Sequence, residues 1–137
     1  MEDLILAIDQ GTSSTKALLM NVRGEVVAQG LADLETTYFP NGHVEQDPLA
    51  LMQSVENAVK ACLSGMDPKS IKGIGISNQR ETFVLWDAQG KPLSPAVVWA
   101  CKRSTAICEK LQDQNDWIKS RTGLLIDPYF SGTKVLW

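Results

Sequence analysis

Apolar positions fall in short runs at the start of the chain and at helical spacing further on. Leu4-Ile5-Leu6-Ala7-Ile8 ends on Asp9, and a second run, Ala17 to Met20, begins almost at once. Short apolar runs bounded by turn signals predict strands. Gln10 to Ser14 must then form a tight hairpin. Arg23-Gly24-Glu25 makes the next turn, into a third strand, Val26 to Gln29. Consecutive strands with short links predict an antiparallel meander. The polar stretch from Asp33 to Gly42, with Pro40 and Asn41-Gly42, reads as loop. His43 to Gln46 reads as a short extended piece.

The period then changes. Asp47-Pro48 places an N-cap and a first-turn proline at the start of a helix. Met52, Val55, Val59 and Cys62, with Leu51 and Ala58 alongside, make its apolar stripe, and Ser64-Gly65 ends it. Such a helix returns the chain to the sheet, so Ile71 to Ile76 should run parallel to an existing strand. Gly73 and Gly75 lie inside that strand, and Asn78 stands where a third glycine would complete a dinucleotide fingerprint. Close packing of strand against helix is the expected reason for these glycines. Beyond the polar run Ser77 to Thr82, the pattern predicts strands at Phe83 to Trp86 and Pro95 to Trp99. Helices are predicted from Thr105 to Leu111 and from Asn115 to Arg121, and Pro128 to Trp137 reads as a turn opening an amphipathic helix.

The first hairpin carries candidate chemistry. Gly11 allows a sharp turn or close approach of a ligand. The hydroxyls of Thr12, Ser13 and Ser14, with exposed backbone N–H groups, can surround an anion such as phosphate. Lys16 adds positive charge, and Asp9 could hold Mg²⁺, which keeps most of its waters and takes one or two carboxylates. Read alone, the same residues also suit a plain polar β-turn.

Composition narrows the classes. A length of 137 residues suits one domain with a real core. Net charge is −3 with no basic run, which argues against nucleic acid or an anionic membrane as partner. The opening segment lacks a signal peptide's basic start, Asp9 soon interrupts its apolar run, and no apolar stretch is long enough to span a bilayer, so a cytoplasmic location is expected. The three cysteines, Cys62, Cys101 and Cys108, form no CxxC pair and have one histidine, His43, to join them. Structural thiols are expected, Cys101 and Cys108 sharing a helix face, and His43 is expected at the surface or in a hydrogen bond.

A three-strand meander, a helix and a parallel fourth strand open the ribonuclease H-like fold of the actin, hexokinase and Hsp70 ATPases, an α/β fold. Longer motifs sharpen this. Gly42-His43-Val44-Glu45-Gln46-Asp47-Pro48, Gly75-Ile76-Ser77-Asn78-Gln79-Arg80-Glu81-Thr82, Val98-Trp99-Ala100-Cys101-Lys102-Arg103 and Thr122 to Lys134 with its Asp127-Pro128-Tyr129-Phe130-Ser131 core occur in this order. The chain resembles the N-terminal part of an FGGY-type carbohydrate kinase, and within that family the glycerol kinases.

The resemblance implies ATP-dependent phosphorylation of glycerol, or a closely related polyol or sugar, at a primary hydroxyl. It sets the substrate against Arg80, Glu81, Trp99 and Tyr129, the phosphates on Gly11, Thr12, Ser13, Ser14 and Lys16, and Mg²⁺ near Asp9. Neighbours in a strand face opposite ways, so Arg80 and Glu81 can meet one ligand only where the strand ends or bends. Lys16 stands where the family usually has arginine, Ala100 where it has glutamine, and Phe83 where it has threonine. Ala100 and Phe83 are expected close to the substrate and leave room for a different small polyol or sugar. The general-base aspartate and the C-terminal ATP-binding lobe are expected beyond residue 137, so this chain by itself is expected to be inactive. The full-length enzyme is expected as a homodimer or homotetramer. Other readings are a pentulose or other sugar kinase of the family, and a non-catalytic, actin-like nucleotide-binding module.

Overall fold

A computed structural model describes residues 3–137, which divide into two compact units. The first comprises residues 3–36 and 47–79, and the second residues 37–46 and 80–137.

In the first unit, β1 (Leu4–Gln10), β2 (Ser14–Asn21) and β3 (Val26–Asp33) follow one another as an antiparallel meander. Helix α1 (Pro48–Cys62) and a short 3₁₀ turn (Pro68–Ser70) lead to β6 (Ile71–Asn78), which pairs parallel to β1. The sheet order is β3-β2-β1-β6, as the ribonuclease H-like opening requires. Alternation on β1 buries Leu4, Leu6 and Ile8; that on β2 buries Thr15, Ala17 and Leu19, and Ala58 and Cys62 of α1 join the same core. Asp47 caps α1 by accepting from the Leu49 N–H at 2.9 Å, and Pro48 occupies the first turn.

Three details of this unit depart from the sequence pattern. Met52 is 57% exposed, and Ser54 takes its place on the inner face of α1. Ser54 gives its one hydroxyl proton to the Leu51 carbonyl at 2.8 Å, so the Thr15 hydroxyl is the donor in their buried 2.7 Å bond. Strand and helix do touch through a glycine, but it is neither Gly73 nor Gly75. A Cβ at Gly75 would meet nothing within 4 Å, and one at Gly73 only Ile5 Cδ1 at 3.5 Å. At Gly30 it would lie 2.1 Å from the Ala58 carbonyl oxygen and 2.5 Å from the Cys62 nitrogen. Finally, β3 extends through Asp33, where loop was expected.

The second unit holds a three-stranded antiparallel sheet, β4 (Thr37–Tyr38), β5 (Val44–Gln46) and β7 (Ala96–Val97), in the order β4-β5-β7. The expected loop from Asp33 to Gly42 therefore contains a strand. Phe83 to Trp86 is not one: it pairs only at isolated points, Phe83 with Val97 and Trp86 with Pro92. Pro92 and Pro95 lack an N–H, which denies this segment a continuous ladder. Three helices follow: α2 (Thr105–Lys110), α3 (Asn115–Thr122) and α4 (Ser131–Leu136). Gly123, at φ +75°, ends α3 in the left-handed conformation that favours glycine. Val44, Val97, Val98 and Cys101 form the core, with Phe83 and Ala100 packed against it.

All three cysteines are buried and free. Cys101 and Cys108 do not share a helix face, because Cys101 precedes α2. The Arg103 guanidinium donates to Cys101 Sγ at 3.0 Å, pairs with the Glu45 carboxylate and lies 5.0 Å from the centre of the Trp137 ring system. Burial pushes the Cys101 thiol up. Hydrogen bonds from the backbone N–H groups of Arg103 and Val44 and from the Arg103 guanidinium outweigh this and leave it below its ordinary value. His43 is half-buried, its ring edge-on to Trp137 at 5.5 Å.

Candidate functional site

The first hairpin is tight. Gly11 N–H donates to the Ser14 carbonyl at 2.9 Å, and a Cβ at Gly11 would lie 3.0 Å from that oxygen. The turn's other carbonyls are also engaged. Gly11 O accepts from Gln79 Nε2 at 3.1 Å and from Gln10 Nε2 at 2.6 Å, Thr12 O from the Thr36 hydroxyl at 3.2 Å, and Ser13 O from the Leu34 N–H at 2.9 Å. In a trans peptide the N–H lies opposite the C=O, so the amides of Thr12 and Ser13 face away from these bonds. With the Gly11 and Thr12 carbonyls bonded, the N–H dipoles that follow them in the turn point the opposite way, the polarity that suits an anion. Gln79, part of a quoted motif but given no role from sequence, and Thr36, outside the motifs, are supporting residues of the turn.

Asp9 and Lys16 are directly opposite each other in the β1–β2 register, both exposed. The alternation that buries Leu6 and Ile8 puts Asp9 on the other face of the sheet. Among the described residues no group of three or more His, Cys, Asp or Glu side chains comes together around a common centre. An exposed Asp9 carboxylate beside a hydroxyl-rich turn fits Mg²⁺, which is commonly bound by one or two carboxylates, waters and the substrate's own phosphates.

In the second unit, the bend expected near Arg80 and Glu81 is present: Glu81 has φ +66°, the only positive value at a non-glycine among the described residues. Such a conformation costs about 1–3 kcal/mol and persists only where its surroundings hold it. Here the holding contact is evident. Glu81 Oε2 accepts from the Ser131 N–H at 2.8 Å and from the Ser131 hydroxyl at 2.9 Å, which caps α4. Those bonds, with Lys134 nearby, hold the Glu81 carboxyl below its ordinary value. A carboxylate has about four acceptor positions on its two oxygens, so this capping leaves room for a ligand hydroxyl.

A pH effect with a definite sign follows. The stabilisation from an ionised Glu81 is fully present above its ordinary value of 4.5 and is lost as the pH falls through the lower folded value. Glu81→Gln should cost about 1 kcal/mol at pH 7, and the gap from wild type should close on acidification. Urea titrations at several pH values check this; a gap constant down to the acid limit would show that the charge does not hold α4.

Trp99 and Tyr129 come together, with ring centroids 5.6 Å apart at 56°. Trp99 is 36% exposed and donates its backbone N–H to Thr82 Oγ1 at 3.1 Å. Tyr129 stacks edge-on with Phe130 at 5.1 Å. Arg80 is exposed, next to Glu81 in the bend. Glu81, Trp99 and Tyr129 are thus linked by direct or one-residue bridges. Ala100 and Phe83 pack against the Val44/Val98/Cys101 core, which accounts for an apolar residue at both positions without reference to a ligand. Lys134, which belongs to the last motif but suggested no role from sequence, is buried between Trp99 and Tyr129.

Comparison with known proteins agrees with this geometry. The model of the FGGY family of carbohydrate kinases, N-terminal domain, matches residues 4–137. A glycerol kinase from Bacillus cytotoxicus is 46% identical over 143 aligned positions, covering all of this chain and 29% of the relative. The structure of Plasmodium falciparum glycerol kinase with ADP superposes at a TM-score of 0.89 with 31% identity, over 99% of this chain and 28% of that one. A gluconate kinase from Lactobacillus acidophilus, at 23% identity and TM-score 0.91, covers all of this chain and 28% of its own, and shares the fold. The chain therefore spans under a third of the length of the relatives it matches. With its ribonuclease H-like sheet order and its matched motifs, the chain belongs to the FGGY family of carbohydrate kinases, to their N-terminal domain.

Proposed function

We propose that the full-length protein carrying this chain transfers the γ-phosphoryl group of ATP to a primary hydroxyl of glycerol. One observation carries the choice of a small polyol: the aromatic pair Trp99 and Tyr129, linked through Thr82 and Ser131 to Glu81, whose backbone is strained and whose carboxylate caps α4. A triol presents donors and acceptors on a short carbon chain. Glu81 accepts from one hydroxyl, and Arg80 donates to another through its guanidinium. Trp99 covers the carbon face and excludes water, with Tyr129 beside it. Relatives named glycerol kinase at 46% identity support the same substrate.

The hairpin from Gly11 to Ser14 is the phosphate-binding element in this reading, with Lys16 adding charge. Asp9 would hold Mg²⁺, which when bound would supply positive charge to the phosphates. The chain's own hydroxyls and amides orient those oxygens and oppose the charge that develops on them. In this reading residues 1–137 form part of the kinase's N-terminal domain. The reading needs a general base, an aspartate outside the described residues, and a second lobe for the adenine. It also includes a cytoplasmic homodimer or homotetramer; among the described residues no helix is long and apolar enough to cross a membrane.

Steady-state ADP release with glycerol, xylulose and gluconate tests the proposal on the full-length protein. Glycerol should give the highest kcat/KM, by about tenfold or more. Xylulose or gluconate turned over better would make it a sugar kinase, and nucleotide binding without turnover of any of the three would leave the non-catalytic module.

A further inference from the structure

Lys134 lies on α4 and is only 3% exposed. Lysine is almost never buried unless its ammonium finds partners, because an unpaired buried charge is costly. Its Nζ donates to the Trp99 carbonyl at 2.8 Å and to the Tyr129 carbonyl at 2.9 Å. These acceptors are the backbones of the two residues whose rings lie 5.6 Å apart, although they are remote in sequence. A second tie reaches the same place, since Ser104 and Thr133, the neighbour of Lys134, share a 2.9 Å hydroxyl–hydroxyl bond.

We propose that Lys134 is a positioning residue for the polyol pocket, its ammonium holding the main chains of Trp99 and Tyr129 at the spacing that lets indole and phenol close on one small ligand. The inference rests on the reading of Trp99 and Tyr129 as ligand residues. An apolar side chain would fill this space at lower desolvation cost, but only a multiple donor can satisfy both carbonyls at once. Burial lowers the ammonium's pKa, opposed by the nearby Cys101, Glu81 and Asp127.

Two variants of the full-length protein decide the matter. Lys134→Met keeps the length but removes the donors, while Lys134→Arg keeps charge and donors. Each is read by glycerol KM against kcat, and by ¹⁹F NMR of fluorotyrosine-labelled protein, the Tyr129 resonance being identified from its loss in Tyr129→Phe. The methionine variant should raise KM about tenfold or more while kcat changes less than about threefold, and it should shift or broaden the Tyr129 resonance. Arginine should restore most of both. An unshifted resonance overturns the clamp whatever KM does. A shifted resonance at wild-type KM overturns the pocket reading and the functional half of the proposal with it. If Lys134→Met does not fold, Lys134→Gln, which keeps a donor without the charge, carries the same test. A wild type that does not phosphorylate glycerol defeats the kinase reading, yet the resonance still decides the clamp.

Discussion

Arg80→Ala in the full-length protein should raise the KM for glycerol about 10- to 100-fold, as the loss of a charge-assisted hydrogen bond worth about 1.5–3 kcal/mol dictates. The effect should fall mainly on KM, because Arg80 is assigned to a substrate hydroxyl away from the transferred phosphate and so binds ground state and transition state alike. Arg80 is exposed, and exposed substitutions usually change stability by about 0.5 kcal/mol or less, so the folded fraction should be unaffected. Arg80→Lys keeps the charge but loses the planar fork, and should recover only part of the affinity. Initial-rate kinetics with glycerol varied at saturating ATP measure all three proteins. A KM for Arg80→Ala equal to wild type would remove this residue from the pocket and leave its motif without a role in substrate binding.

Gly30→Val should destabilise the protein by about 3 kcal/mol or more, a large share of the usual 5–15 kcal/mol total. The reason is a close approach of two backbones. A Cβ at position 30 would fall 2.1 Å from the Ala58 carbonyl oxygen and 2.5 Å from the Cys62 nitrogen, both main-chain atoms that no rotamer change can move. Helix α1 would have to lift from β3, opening the core that Ala58 and Cys62 share with Leu6, Ile8 and Leu19. Gly75→Ala is the control, since its Cβ would meet nothing within 4 Å. It should shift stability by about 0.5 kcal/mol or less. Chemical denaturation of the pair gives the comparison. A valine variant as stable as the alanine variant would mean that β3 and α1 are not packed as described.

How much of this was legible beforehand depended on the range of the interaction involved. The meander, the Asp47 cap and the parallel return of β6 follow from alternation, capping chemistry and chain connectivity over adjacent residues. The bend at Glu81 was foreseeable too, because the family resemblance sets two neighbouring residues against one ligand, and neighbours cannot share a face of an extended strand. Gly73 and Gly75 misled, since a glycine's spacing along a strand does not say which backbone lies over it. Met52 misled for a similar reason: helical spacing finds the stripe but not its edge, and Ser54 is drawn inward by the Thr15 hydroxyl, a partner far away in the chain. Phe83 to Trp86 has the composition of a strand, yet the prolines of the facing segment supply no donors.

The amino-acid sequence by itself determined the order of strands and helix in the first unit, the hairpin after Asp9 and the family motifs, because each is written in neighbouring residues whose backbone preferences and hydrophobic period act locally. The tertiary structure alone decided that Gly30 is where sheet meets helix, that Glu81 caps α4, and that a buried lysine ties Trp99 to Tyr129. Each of these depends on donors, acceptors or volumes from segments distant in the chain, and their pairing exists only once the chain has closed on itself.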